Sequence, residues 1–181
     1  MIFEEQKLKG VYVITPKLNI DKRGYFFESF RQKEFNDMLN CEFVQDNQVY
    51  TKKINTIRGL HYQVKNPQGK LIQVISGTIC DIVVDIRIGS KDFGKSFKVL
   101  LNSSNHKMLY VPPGFAHGYL VLKKNTIVSY KCTNYFAPND EYGIRWNDSD
   151  LNITWGVDEP VLSDKDKNLP LLKKQKTLPK I

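Results

Sequence analysis

Proton-handling side chains recur in five short strings: "RGLHYQ" with Arg58 and His61, "PQGK" with Lys70, "VPPGFAHGY" with His117, "SYKCTNYF" with Tyr130 and "LSDKD" with Asp166. Histidine, tyrosine, lysine and aspartate can remove, deliver and stabilise protons on a substrate. Other chemistries are poorly provided for. The three histidines, His61, His106 and His117, form no His-x-His pair and no CxxC is present, so no metal is expected. No serine or cysteine stands in a nucleophile elbow, and no cysteine has an obvious activating neighbour. Glycine-rich loops of the Rossmann or Walker type are missing as well, which argues against NAD and ATP. The expected chemistry is acid–base work without a cofactor.

These groups must be positioned by strands. In "TIRGLHYQV", residues 56–64, side-chain alternation puts Ile57, Gly59, His61 and Gln63 on one face and Thr56, Arg58, Leu60 and Tyr62 on the other. Arg58 and His61 then point apart, unless Gly59 marks a bulge, whose extra residue restores common parity. A bland reading stands beside this one: a strand histidine satisfied in the core and an arginine reaching solvent.

From about residue 45 to residue 136 the chain reads as short strands separated by turn signals such as "KNPQGK", "NSSNHK" and "VPPGFAHG". That rhythm implies an antiparallel sandwich or barrel. In "TICDIVVDIR", Thr78, Cys80, Ile82, Val84 and Ile86 make one face, and Ile79, Asp81, Val83, Asp85 and Arg87 the other. Apolar residues on both faces imply packing on both. Carboxylates among them suit either a partly polar barrel interior or a salt-bridged edge. One helix is marked at about residues 30–39, with Ser29 as cap, Gln32 completing a capping box, and Phe35, Met38 and Leu39 as its apolar stripe.

The 181 residues, 41% hydrophobic and 25% charged, suit one globular domain over residues 1–181, with a barrel core at about 45–136 and the segment 137–181 packing on it. Net charge is +8, and Asp164 to Ile181 contribute six lysines against two aspartates. No nucleic-acid-binding signature accompanies this excess, so no nucleic-acid partner is expected and most lysines read as solvated surface. Three cysteines without paired spacing and an N-terminus without a signal core point to the reducing cytoplasm. No apolar run approaches the length that spans a bilayer, so no membrane partner is expected.

Together the strings resemble a known family. "DKRGYFFESF", "QDNQVYTKKINTIRGLHYQ", "GKLIQVISGTICDIVVDIR", "VPPGFAHGYLVL", "YKCTNYFAP", "WNDSDLNITW" and "LSDKD" run in the order of the dTDP-4-dehydrorhamnose 3,5-epimerases, over about residues 8–166. The resemblance implies an all-β, cupin-type jelly-roll double-sheet barrel with a few short helices. It further implies a homodimer, a nucleotide-sugar substrate and a metal-free site inside the barrel. In such enzymes the arginine of "RGLH" binds substrate and the histidine is the base.

Chemically, C3' and C5' of a 4-keto sugar both flank the carbonyl, so removing either proton gives an enolate with its charge on O4'. The resemblance gives His61 as base, Asp166 as its orienting carboxylate, Lys70 as the cation facing the enolate, and Tyr130 as the acid on the opposite face. It assigns substrate binding to Arg23, Glu28, Gln45, Asn47, Arg58, His117, Phe136, Glu141 and Lys165. Structural alternatives stand beside some of these. Tyr130 could close the core, Glu28 could favour the helix dipole, and Asp81 or Asp85 could orient His117. Phe136 replaces a tyrosine common in the family and keeps the stacking face without the hydroxyl. Tyr130 and Phe136 share parity, about 20 Å apart on a straight strand.

Rival readings are a single-site epimerase, an epimerase of a GDP- or CDP-linked sugar such as a 4-keto-heptose, a ketoisomerase, and a noncatalytic nucleotide-sugar-binding barrel.

Overall fold

The structure is a computed structural model that describes residues 1–180. It begins with β1 (Ile2–Glu5) and β2 (Tyr12–Thr15), a small hairpin of β3 (Asn19–Asp21) and β4 (Gly24–Phe26), and helix α1 (Gln32–Leu39). Eight strands follow: β5 (Gln45–Thr51), β6 (Ile57–Gln63), β7 (Lys70–Ser76), β8 (Thr78–Asp85), β9 (Ser96–Asn102), β10 (Met108–Val111), β11 (Phe115–Val121) and β12 (Thr126–Cys132). A short strand, β13 (Glu141–Gly143), and a one-turn helix, α2 (Asp164–Lys167), complete the set.

The strands form two antiparallel sheets, one ordered β1-β2-β10-β7-β12-β5 and the other β13-β6-β11-β8-β9. This is the expected double-sheet jelly roll. From β5 to β8 and again from β9 to β13 the chain alternates between the two sheets, so successive strands form opposing walls of one interior.

Three apolar layers hold the sheets. The interior is filled from both walls by Val13, Ile72, Val74, Ile79, Val83 and Val128, among others. The outer face of the five-stranded sheet, with Ile57, Ile82 and Val84, is covered by Ile144, Leu151, Trp155 and Leu172 of the C-terminal segment. The outer face of the six-stranded sheet, with Ile14, Leu71, Met108 and Tyr110, is covered by Phe35 of α1. β8 therefore packs on both sides as its alternation predicts: Ile79 and Val83 point inward, Ile82 and Val84 outward.

Some expectations change. β1, β2 and β13 lie outside residues 45–136 yet join the sheets, so the barrel uses more of the chain than the turn rhythm marks. Helix α1 starts at Gln32, after an extended Arg31 that gives no side-chain cap, so Ser29 does not cap it. Gln32 instead bridges the loop beyond the helix: its Nε2 donates to the Cys41 carbonyl at 2.9 Å and its Oε1 accepts from the Phe43 amide at 3.2 Å. Met38 is 49% exposed, leaving Phe35 as the buried anchor.

Candidate active site

The site is set by a bulge in β6. His117 on β11 pairs with His61, and Tyr119 pairs with Arg58, so three residues of β6 span two of β11. The extra residue turns Arg58 and His61 toward the same space, where both line one cavity. Gly59 has φ +109°, and a Cβ there would lie 2.6 Å from the His117 carbonyl oxygen. A Cβ at Gly118, across the pair, would lie 2.7 Å from the Arg58 carbonyl oxygen. The bulge therefore needs glycine on both strands, which ties the "RGLH" and "AHGY" strings to one local geometry.

His61 donates Nε2–H to Asp166 Oδ1 at 2.6 Å. An ionised carboxylate only accepts, so the neutral ring keeps its free lone pair on Nδ1. Asp166 is placed by α2, whose N-cap Ser163 accepts from the Asp166 amide through Oγ at 3.1 Å. Burial works to raise the Asp166 carboxyl. Hydrogen bonds from His61, Ser163 and the Gly59 backbone outweigh it and hold the group below the usual carboxylate range. Glu141 Oε1 lies 4.0 Å from His61 Nδ1, and its other oxygen pairs with Lys165.

The opposite wall supplies Lys70 from β7 and Tyr130 from β12. The turn before Lys70 is pinned where the Gly69 amide donates to Thr133 Oγ1 at 2.7 Å and the Asn66 amide to Asp140 at 2.6 Å. Burial lowers the Lys70 ammonium, partly offset by nearby Cys132, Glu141 and Asp81. Burial raises the Tyr130 phenol, with Cys132 and Glu141 acting in the same direction, so it remains a proton donor at neutral pH.

The cavity has two lobes that share His61, Lys70 and Tyr130. An inner lobe of about 200 Å³ adds Arg58, His117, Lys165 and Asp166 over an apolar floor of Val49, Ile72 and Val128. A second lobe of about 300 Å³ adds Gln45, Asn47, Phe136 and Glu141. Phe136 lies past the end of β12 at Cys132, so it is not on one straight strand with Tyr130. Its amide donates to Gln45 Oε1 at 2.9 Å, which turns the segment over the lobe.

Two predicted binding residues are not in this cavity. Arg23, on the β3–β4 turn, pairs with Asp21 at 2.6 Å, and Glu28 pairs with Arg31 at 2.7 Å, all exposed. Glu28 also precedes α1 by several residues and has a partner of its own, so the alternative role at the helix dipole is not seen. Asp81 does orient His117, accepting from Nε2 at 2.7 Å, whereas Asp85 is taken by Arg87 and Ser90 at the end of β8. Among the described residues, no group of three or more His, Cys, Asp or Glu is arranged to hold a metal ion. Sequence reasoning missed Ser163, although Ser163-x-x-Asp166 has the spacing of a helix cap. It also missed Tyr119, which shares His117's parity and lines the inner lobe.

The family model described as dTDP-4-dehydrorhamnose 3,5-epimerase matches residues 5–174. The chain belongs to this family. As a member it is an isomerase that epimerises a sugar. It is 42% identical over 176 residues to the dTDP-4-dehydrorhamnose 3,5-epimerase of Salmonella typhimurium, covering 95% of this chain and 96% of that one. The dTDP-6-deoxy-D-glucose-3,5-epimerase of Legionella pneumophila, solved in complex with dTDP-4-keto-L-rhamnose, superposes with a TM-score of 0.95 at 38% identity, covering 99% and 98% of the two chains. The dTDP-4-dehydrorhamnose 3,5-epimerase of Bacillus anthracis, solved with TDP and PPi bound, gives 0.89 at 41% identity over 94% of this chain and 99% of that one.

Proposed function

We propose that this epimerase converts dTDP-4-dehydro-6-deoxy-D-glucose to dTDP-4-dehydro-L-rhamnose by two proton exchanges, one at C3' and one at C5'. His61 Nδ1 removes each proton, and Asp166 holds the imidazolium that forms. Lys70 faces the O4' charge of the enolate, and Tyr130 returns a proton to the other face of the ring. The observation that carries this reading is the placement of His61 and Tyr130 on opposite sheets. Inversion needs removal on one face and delivery on the other, and a group on each wall supplies both. In the same reading Arg58, His117 and Lys165 hold the sugar and pyrophosphate, while Gln45, Asn47, Glu141 and the Phe136 ring receive the nucleoside.

Arg23 and Glu28 fit this reading if they serve the cavity of a second copy. The β3–β4 hairpin leaves Ile20 76% and Phe26 70% exposed, an apolar tip that solvent disfavours. A homodimer that buries the hairpin against a partner would carry Arg23 and Glu28 to that partner's site. The 1–181 chain is then one catalytic domain in each half of the dimer. Cytoplasmic placement suits a nucleotide-sugar substrate and three unpaired cysteines; no helix among the described residues is long and apolar enough to cross a membrane.

The test is conversion itself. The substrate is incubated with the protein, the 4-keto group is reduced with borohydride, and the configurations at C3' and C5' are read by proton NMR. Inversion at both carbons is expected. Inversion at one makes the enzyme a single-site epimerase, and inversion at neither contradicts the reading.

A further inference from the structure

A base that acts twice must be emptied between its two uses. After the first exchange His61 holds the sugar's proton on Nδ1 and Tyr130 has given its own away. The second exchange waits until His61 has lost a proton and Tyr130 has regained one. On the Nε2 side the exit is closed, because that nitrogen is bonded at 2.6 Å to Asp166, whose side chain is only 5% exposed. The ring itself is partly open in the free protein, and a sugar seated against Nδ1 takes that opening. Beside Nδ1 stands Glu141. Strand β13 pairs with β6 so that Gly143 faces His61 and Glu141 faces Gln63, two residues along. Glu141 Oε2 is held by Lys165, which leaves Oε1 as the oxygen that faces the imidazole, 4.0 Å from Nδ1. That spacing lets the sugar proton arrive at Nδ1, after which a closure of about 1 Å brings the carboxylate into hydrogen-bonding range. Exposure rises along this line, from 20% at the Glu141 side chain to 50% at Lys165, so it leads from the ring to solvent.

We propose that Glu141 is a catalytic residue that takes the abstracted proton from His61 Nδ1 and releases it to solvent, resetting the base between the exchanges at C3' and C5'. This rests on the epimerase reading above and adds a chemical role to the binding one given there. The N–H bond of the imidazolium breaks as the O–H bond of the carboxyl group forms, and the carboxylic acid then gives its proton to water. Solvent reprotonates the Tyr130 phenolate through the second lobe, which Tyr130 and Glu141 both line. Each round exports one sugar proton and imports one solvent proton. Passing a proton from an imidazolium to a carboxylate runs uphill by only about a hundredfold in population, so a carboxylate can carry the proton without trapping it.

The experiment compares the wild-type protein with Glu141→Gln, which keeps the side chain's shape and its ability to accept from Lys165 but cannot carry the proton. Both are incubated with dTDP-4-dehydro-6-deoxy-D-glucose in D2O, and singly and doubly deuterated sugars are counted by mass spectrometry at early times. In the variant the first exchange proceeds and the second waits on a base that is still protonated. Its share of singly deuterated sugar should therefore rise well above the wild-type share, and kcat should fall roughly tenfold or more. Sodium formate, a small carboxylate able to enter the cavity, should restore part of the rate. Calorimetric titration should show dTDP binding the variant no more weakly than wild type, which also confirms that the variant is folded. A share of singly deuterated sugar equal to wild type, or a loss confined to KM and dTDP affinity, would overturn the proposal. If the variant turns nothing over, the formate arm decides, and no recovery would likewise overturn it. No deuterium uptake by the wild-type protein would instead overturn the epimerase reading beneath it.

Discussion

His61 and His117 face each other as direct partners across β6 and β11, and each places Nε2 on a buried carboxylate, Asp166 at 2.6 Å and Asp81 at 2.7 Å. Two imidazoles so close have the same type of partner but different surroundings. His61 opens to both lobes of the cavity, with Glu141 beside its free nitrogen, whereas His117 lines the inner lobe alone. The difference in access accords with the proposed roles, His61 as base and His117 as a binding residue.

Asp166 fixes the ring of His61 through the 2.6 Å hydrogen bond to Nε2. Asp166→Asn should lower kcat by about 10²- to 10⁴-fold, with a smaller effect on KM and the fold retained. Stopped-time assays and circular dichroism on the same preparation check this. A kcat near wild type would remove Asp166 from the mechanism. The linkage sign is also defined. Because the folded carboxyl is held low, its contribution to stability is present above the ordinary aspartate value near ~3.9 and is lost as pH falls through the folded value.

The alkaline limb of the kcat/KM profile should belong to Lys70. Burial drives Lys70 down and Tyr130 up, so Lys70 loses its proton first as pH rises. Activity should fall at a pH below the ordinary lysine value of about 10.4. Lys70→Arg, which keeps its charge, should move that limb upward even with a lower maximum, and Lys70→Met should abolish it together with most activity. A limb unmoved in Lys70→Arg would give the titration to another group.

Gly59→Ala should destabilise the protein by ~2 kcal/mol or more. The new Cβ would meet the His117 carbonyl and would be held at positive φ. Chemical denaturation measures the loss. Because the bulge aims both Arg58 and His61, the surviving folded fraction should also be impaired in turnover. A variant as stable and active as wild type would show that the bulge tolerates a side chain.

A dimer that exchanges its β3–β4 hairpins makes a specific prediction for mixed variants. Arg23→Ala and His61→Ala should each be weak or inactive alone. Unfolded together and refolded, they should regain activity, since one site of each mixed dimer receives His61 from one chain and Arg23 from the other. Absence of recovery, with mixed dimers verified by native mass spectrometry, would place Arg23 outside the site.

The parts of the site legible in the sequence were those set by local alternation. Glycine in "RGLH" marks the bulge that brings Arg58 and His61 together, and period-two alternation in β8 sends Asp81 inward and Ile82 outward. Lys70, Tyr130 and Asp166 lie on separate elements whose meeting depends on sheet order, and local pattern alone does not reach that far. The family resemblance supplied it. Arg23 and Glu28 illustrate the remaining gap: a motif records that a residue matters, while its place in the fold shows which cavity it is able to reach. Helix α1 was misread at its start because Gln32, which has the right type for a capping box, is used to bind the loop at Cys41 and Phe43.

The most direct test is the count of deuterium atoms taken up from D2O into dTDP-4-dehydro-6-deoxy-D-glucose, by mass spectrometry and proton NMR, with His61→Ala alongside. Two deuterium atoms, at C3' and C5', with neither in the variant, are predicted. Uptake that persists undiminished in His61→Ala, or no uptake by the wild-type protein, would contradict His61 as the base of a 3,5-epimerase.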